Sequence, residues 1–228
     1  MTDNKTGKQL YIGIMSGTSA DGIDLALVDF SHGKAKLIAS DYQPYSDQLH
    51  QEITALYNPE SNEIDRAFSL DKELAQLFAT AVLSFLTKQN LNATDIVAIG
   101  NHGQTIRHRP SITEQVTNPF TLQIGCNQTL AVLTNTRVIG DFRTKDIALG
   151  GQGAPLVPAF HRFLFPPQQN DTFIVNIGGI ANITYLPKDE KQAILGFDTG
   201  PGNALMDAWC YRHTGKRYDE NGDWGKKG

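Results

Sequence analysis

Cysteine is nearly absent: Cys126 and Cys210 are the only two in 228 residues, and they form no C-x-x-C pair. A disulfide framework and a cysteine zinc site are therefore not indicated, and a reducing cytoplasm suits the chain. No apolar run reaches the roughly 18 residues a membrane span needs, and the start, Met1 to Leu10, is polar and lacks the apolar stretch of a signal peptide. Long clusters of lysine and arginine are also missing, and the formal charge is −4. Neither a nucleic-acid backbone nor an anionic membrane is the expected partner. Neither G-x-x-x-x-G-K-[ST] nor a strand-following G-x-G-x-x-G occurs, which disfavours a P-loop NTPase and a dinucleotide-binding domain.

What is present is an ordinary globular composition, 40% hydrophobic, with enough length for a sizeable core. Tyr11 to Ser16, Asp24 to Phe30 and Lys34 to Tyr42 read as three strands of an antiparallel meander, with Ser31-His32-Gly33 as a turn. Asp47 to Tyr57 is a modest helix candidate. Asn62 to Leu86 is a strong one, since Ala67, Leu70, Leu74, Phe78, Ala81 and Phe85 recur at helical spacing and Asn62 with Asp65 can cap its start. Ile96–Gly100, Phe120–Ile124 and Arg137–Gly140 read as strands, with a short helix over Asn127–Leu133.

After a Gly/Pro-bearing segment, Gly150 to Pro158, the pattern starts again. Strands are expected at Thr172–Ile177, Asn182–Leu186 and Ala193–Phe197, then a helix over Asn203–His213 and a polar loop from Asp219 to Gly228. A strand–turn–strand–strand opening that recurs suggests a duplicated architecture, with one domain over residues 1–140 and the first part of a second over 141–228. The second domain reads as incomplete. Phe78 and Trp209, both in apolar helical stripes, are expected in the core.

Two turns carry the chemistry. In the first, Met15 to Asp24, Gly17 and Gly22 let the backbone approach a ligand, Thr18 and Ser19 offer hydroxyls, and tight-turn amides can form an anion nest. An ordinary hairpin turn uses the same residues. In the second, Asn176 to Asn182, Gly178 and Gly179 play the same part and Asn182 can donate to an oxygen. Two such loops at equivalent places suggest a phosphate chain gripped from both sides of a cleft.

Five blocks, in order, resemble the anhydro-N-acetylmuramic acid kinase family. They are Ile14–Ser19 with Asp21–Asp24; Asn101–His108 with Pro110; Asp141–Arg143 with Asp146 and Gly150–Leu156; Asn176–Asn182; and Phe197–Asn203. They span about Tyr11 to Trp224. The resemblance implies an α/β chain of the actin-like, ribonuclease H-like sugar kinase fold, with mixed sheets flanked by helices. It implies ATP and Mg²⁺ as cofactors, 1,6-anhydro-N-acetylmuramic acid as substrate, and a cytoplasmic place in cell-wall recycling. It also implies that the adenosine-binding part lies beyond Gly228, so the 228 residues alone are expected to be inactive.

The nucleotide site expected is Gly17, Thr18, Ser19, Ala20, Asp21, Gly22, Ile23 and Asp24 with Gly178, Gly179 and Asn182. Asp141, at the end of a strand, is the expected general base, with Asp146 the runner-up; both could instead be capping or ion-paired residues beside Arg143 and Lys145. His102, Gln104 and Arg107, with Asp146, are expected on the substrate side, although His102 could equally brace its loop. Asp21 and Asp198, with Asp24 as a further candidate, are expected to hold Mg²⁺ through water. A homodimer is a candidate assembly. Two other classes compete: an ATP-driven switch or assembly protein of the same fold, and a glycoside hydrolase using Asp141 and Asp146 as its pair.

Overall fold

The computed structural model describes residue 7, residues 9–114 and residues 116–228, so most of the polar start read from Met1 to Leu10 lies outside the described residues. The chain divides into two compact units, one ending at Gly153 and the other running Ala154–Gly228. Among the described residues no helix is long and apolar enough to cross a membrane.

The first unit is built on one mixed sheet. Strands β1 (Leu10–Ser16), β2 (Gly22–Asp29) and β3 (Lys36–Pro44) form the expected antiparallel meander, after which helices α1 (Asp47–Thr54) and α2 (Glu63–Lys88) lead to β4 (Ile96–Arg109). Strand β4 lies parallel to β1, then β5 (Phe120–Ile124) returns antiparallel to β4, and β6 (Val138–Gly140) adds a parallel pairing to β4 after helix α3 (Asn127–Thr134). The path is β3-β2-β1-β4-β5. Register explains the core. Ile12 sits opposite Leu27 and Ile14 opposite Leu25, so the period-2 apolar sets of both strands share one face. Against that face α2 lays Leu70, Leu74, Phe78, Val82 and Phe85, all buried.

Two expectations are corrected in this unit and one helix is added. Asn62 makes no side-chain cap; it turns the chain in a left-handed conformation (φ 53°), and α2 begins at Glu63, whose carboxylate pairs with Arg107. Strand β4 does not stop at Gly100 but runs 14 residues, so the block Asn101–His108 is strand rather than loop. Its polar side chains hide that, because they are spent on internal hydrogen bonds instead of on an apolar face. Helix α4 (Phe142–Ala148), carrying the Asp141 block, escapes the sequence pattern, being too short at 7 residues to show a helical period.

In the second unit, α5 (Pro158–Leu164) escapes for the same reason. Strands β7 (Thr172–Ile177), β8 (Ile180–Leu186) and β9 (Leu195–Pro201) form an antiparallel meander, so both units contain the same three-strand order, in the second after α5. Helix α6 (Ala204–Thr214) follows. Trp209 is not core: it is 55% exposed and its ring lies tilted against His213, whereas Phe78 is fully buried as expected.

Candidate active site

The first glycine turn leaves β1 at Ser16 and closes when the Ala20 amide donates to Gly17 O at 3.1 Å. Ala20 takes a left-handed φ of 49° with its methyl fully buried. Thr18, Ser19 and Asp21 are exposed, and Ser19 Oγ donates to Asp21 Oδ1 at 2.7 Å. The two glycines differ in kind. A Cβ on Gly22 would fall 2.5 Å from Gln43 O and 2.7 Å from the Tyr42 ring, so glycine there serves packing, not ligand approach. A Cβ on Gly17 would meet nothing closer than Ser19 Oγ at 3.6 Å, and φ is not positive. The fold therefore makes no demand for glycine at position 17. Ile23 points into the core, so like Ala20 it can offer a ligand only backbone. Asp24 is exposed on β2, and its carboxyl is pushed up, first by burial and then by the Asp21 charge.

Behind the turn sits a buried polar cluster that no sequence motif announces. Ser16 Oγ lies 2.5 Å from Gln104 Oε1 and 3.1 Å from Gly22 O, sharing one proton between them, and accepts from Tyr45 Oη at 3.0 Å. Gln104, 0% exposed, donates from Nε2 to Gly17 O at 3.0 Å. Tyr57 Oη donates to Thr18 O at 2.8 Å, and Tyr42 Oη to Asp21 O at 3.0 Å. Burial, then the Asp21 charge, pushes the Tyr57 phenol up to about 12, and burial raises Tyr45 too, so both remain protonated donors.

A second feature of the same unit is a polar pocket of about 240 Å³ lined by Asp141, His102, Asn101, Gln123, Asn127 and Thr144, among others. Asp141 follows β6 and takes a left-handed φ of 58° at the head of α4. His102 is held between elements: Nδ1–H donates to Gly103 O at 2.8 Å and Nε2 accepts from Arg143 Nε at 2.9 Å. This arrangement requires a neutral ring. Burial lowers its pKa, and the Arg143 charge adds to that against the opposing Gly103 bond. Arg143 also donates to Gly153 O, which fixes α4 to the loop that follows it.

Of the four residues expected on the substrate side, the structure places only His102 in this pocket. Gln104 faces the glycine turn. Arg107 reaches the other way, donating to Leu56 O at 3.0 Å and pairing with Glu63, with its Nε buried and without a hydrogen-bond partner. Asp146 accepts from the Gly153 amide at 2.6 Å and crowds Gly151, so its carboxylate organises the Gly150–Gly153 loop. Asn127, which sequence reasoning misses, accepts from Asn101 Nδ2 at 2.8 Å.

The second glycine turn is braced by main chain. The amides of Gly202 and Asn203 donate to Gly179 O at 2.9 Å and Gly178 O at 2.8 Å. A Cβ on Gly202 would fall 2.3 Å from Gly178 O, whereas Gly178 and Gly179 themselves have room for one. Asn182 stands opposite Asp198 in the β8–β9 register, with its Oδ1 buried and without a partner; Asp198 is exposed. Among the described residues no group of three His, Cys, Asp or Glu side chains converges on a metal position.

An α/β chain whose mixed sheet orders its strands 3-2-1-4, and whose second unit repeats the opening meander, defines the actin-like fold class. The family described as anhydro-N-acetylmuramic acid kinase matches residues 9–228, and the chain belongs to that family. A relative of that description from Colwellia psychrerythraea is 60% identical over 236 aligned positions, covering 100% of this chain and 59% of the relative. Another from Saccharophagus degradans is 52% identical, covering 96% of this chain and 58% of the relative. The chain thus spans somewhat under three-fifths of the length of these relatives. A solved structure described as a reductive activator for a corrinoid, iron-sulfur protein superposes on 89% of this chain and 32% of its own, with a TM-score of 0.50 at 17% identity, a likeness of fold alone.

Proposed function

We propose that this chain provides the phosphate-gripping turns and the base-bearing pocket of an ATP-dependent kinase acting on 1,6-anhydro-N-acetylmuramic acid. The product is N-acetylmuramic acid 6-phosphate, formed in the cytoplasm during cell-wall recycling, by an enzyme that is a candidate homodimer. The observation that carries the reading is Asp141: an aspartate exposed at the end of a parallel strand, lining a polar pocket, on a helix fixed by His102 and Arg143.

In the proposed reaction the Asp141 carboxylate takes a proton from water as its oxygen bonds to the anomeric carbon. The C1–O6 bond breaks, O6 bonds to the γ-phosphorus, and ADP leaves. The Gly17 and Gly178–Gly179 turns hold the phosphates, which fits the room left at these glycines. Asp21 in the first unit and Asp198 in the second are each proposed separately as a contact for Mg²⁺, which would neutralise phosphate charge; in the first unit the exposed Asp21, with Asp24 close enough to feel its charge, suits a divalent cation.

The test is sugar-dependent release of ADP by a chain of the relatives' full length carrying this sequence, with the product mass showing one added water and one phosphoryl group. ADP release indifferent to sugar would favour an ATP-driven switch, and product without ATP a hydrolase. Residues 1–228 alone are expected to bind ATP weakly and turn over little.

A further inference from the structure

Four carbonyl oxygens of the first glycine turn carry partial negative charge that would repel any anion they faced. Each is instead engaged by a donor: Gly17 O by the Ala20 amide and Gln104 Nε2, Thr18 O by Tyr57 Oη, Asp21 O by Tyr42 Oη and the Tyr45 amide, and Gly22 O by Ser16 Oγ. Gln104 and Tyr57 are themselves joined, Nε2 to Oη at 3.2 Å. A peptide whose carbonyl is tied down on one side directs its N–H to the other, which is how successive amides become an anion nest.

We infer that Gln104 and Tyr57 are positioning residues for nucleotide phosphate, holding the Gly17 and Thr18 carbonyls away from it so that the turn presents donors. This rests on the ATP-binding reading above and goes beyond it. It moves Gln104 from the sugar side, where sequence reasoning puts it, to the nucleotide side. It also gives β4 a double duty, because His102, two residues earlier, lines the Asp141 pocket on the other side of the bulge at Gly103, whose φ is +70°.

Buried location supports the assignment over a merely filling role. A fully buried glutamine must place both ends of its amide, and here Oε1 goes to Ser16 and Nε2 to the turn. The Tyr57 hydroxyl belongs to the same arrangement, donating to the turn and accepting from Gln104.

The experiment compares wild type, Tyr57→Phe and Gln104→Glu in the full-length chain described above, by steady-state kinetics in both substrates and by calorimetric titration with ATP in the absence of sugar. Tyr57→Phe removes one oxygen, so it keeps the packing, and its melting curve reports folding. Expected is a rise of about tenfold in KM for ATP, matched by the titration, with KM for the sugar within about twofold. Gln104→Glu replaces the donor facing Gly17 O with a carboxylate oxygen and should weaken ATP further. A folded Tyr57→Phe with unchanged ATP affinity, or a rise in sugar KM alone, overturns the inference. Wild type that neither binds ATP nor turns over overturns the functional reading and this inference with it, whereas loss of effect in the variants alone overturns only the inference.

Discussion

The two glycine turns are alike in sequence position and opposite in support. The first is backed by side chains brought from far along the chain, Tyr42, Tyr45, Tyr57 and Gln104, all resting on a packed unit whose central residues Ile12, Leu74, Phe78 and Ile99 are buried. The second is clipped by neighbouring backbone, Gly202 and Asn203, in a unit where β7 leaves Phe173, Val175 and Ile177 more than half exposed. Side-chain bracing costs conformational entropy and sets geometry tightly; backbone bracing is cheap and survives in a sparsely packed unit. The first unit is thus built to fix its turn and its pocket, and the second holds its turn by local means.

The sharpest way to break this comparison is through the pocket of the better-built unit. In the full-length chain Asp141→Asn should lower sugar phosphorylation ~10²–10⁴-fold, because the amide cannot accept the proton from attacking water. ATP titration should change little, since the turns are intact. Asp146→Asn should keep substantial turnover, its carboxylate being occupied by the Gly153 amide. Near-normal turnover in the first variant with a dead second would reverse the assignment.

Packing gives the next largest contrast. Phe78→Ala removes a fully buried ring beneath the first sheet and should cost about 3–5 kcal/mol in chemical denaturation. Phe173→Ala, at 63% exposure with the Tyr185 ring beside it at 5.1 Å, should cost about 1 kcal/mol or less. Equal costs would show that the two units are equally consolidated.

Within the first turn, Gly22→Ala should destabilise by about 1–3 kcal/mol, since its Cβ has no room against Gln43 O and the Tyr42 ring. Gly17→Ala should leave the melting temperature nearly unchanged while weakening ATP binding, because the space its methyl enters is the space proposed for phosphate. A Gly17→Ala chain that binds ATP normally would remove that glycine from the site.

Much of this was legible in the sequence, and the reasons differ by element. Strands β1 and β2 and helix α2 announce themselves by period, because one face of each meets the core of the first unit; the second meander and the short strand before Asp141 are legible from apolar runs between turn residues instead. The family blocks locate both turns and Asp141. What stayed hidden are contacts made at long range: nothing near Tyr57 tells that its hydroxyl reaches Thr18, and nothing near Gln104 tells that a bulge at Gly103 turns it from the pocket toward the turn. Gly17 and Gly22 look interchangeable as letters. Only the neighbours folded around them separate a glycine needed for packing from one the fold leaves open.

The smallest expected effect tests whether His102 is a brace. Its ring is buried neutral, with Nδ1–H committed to Gly103 O and Nε2 accepting from Arg143, so a second proton would set a cation against the guanidinium. Its folded pKa therefore lies below the ordinary value of 6.5, burial being the main cause. When pH falls below 6.5 the unfolded chain takes up a proton the folded one still refuses, so the His102 contribution is complete above that pH and is lost as pH drops through the folded pKa. Asp24 acts with the opposite sign: its raised carboxyl favours the folded state as acid is added, in the lower window just above its ordinary 3.8. Melting temperatures recorded between neutral pH and the acid side of 6.5 should thus decline before the carboxylates titrate, and His102→Gln should flatten that decline, because a glutamine does not titrate. A slope that persists unchanged in His102→Gln would mean that another group carries it and that His102 does not resist protonation in the folded chain.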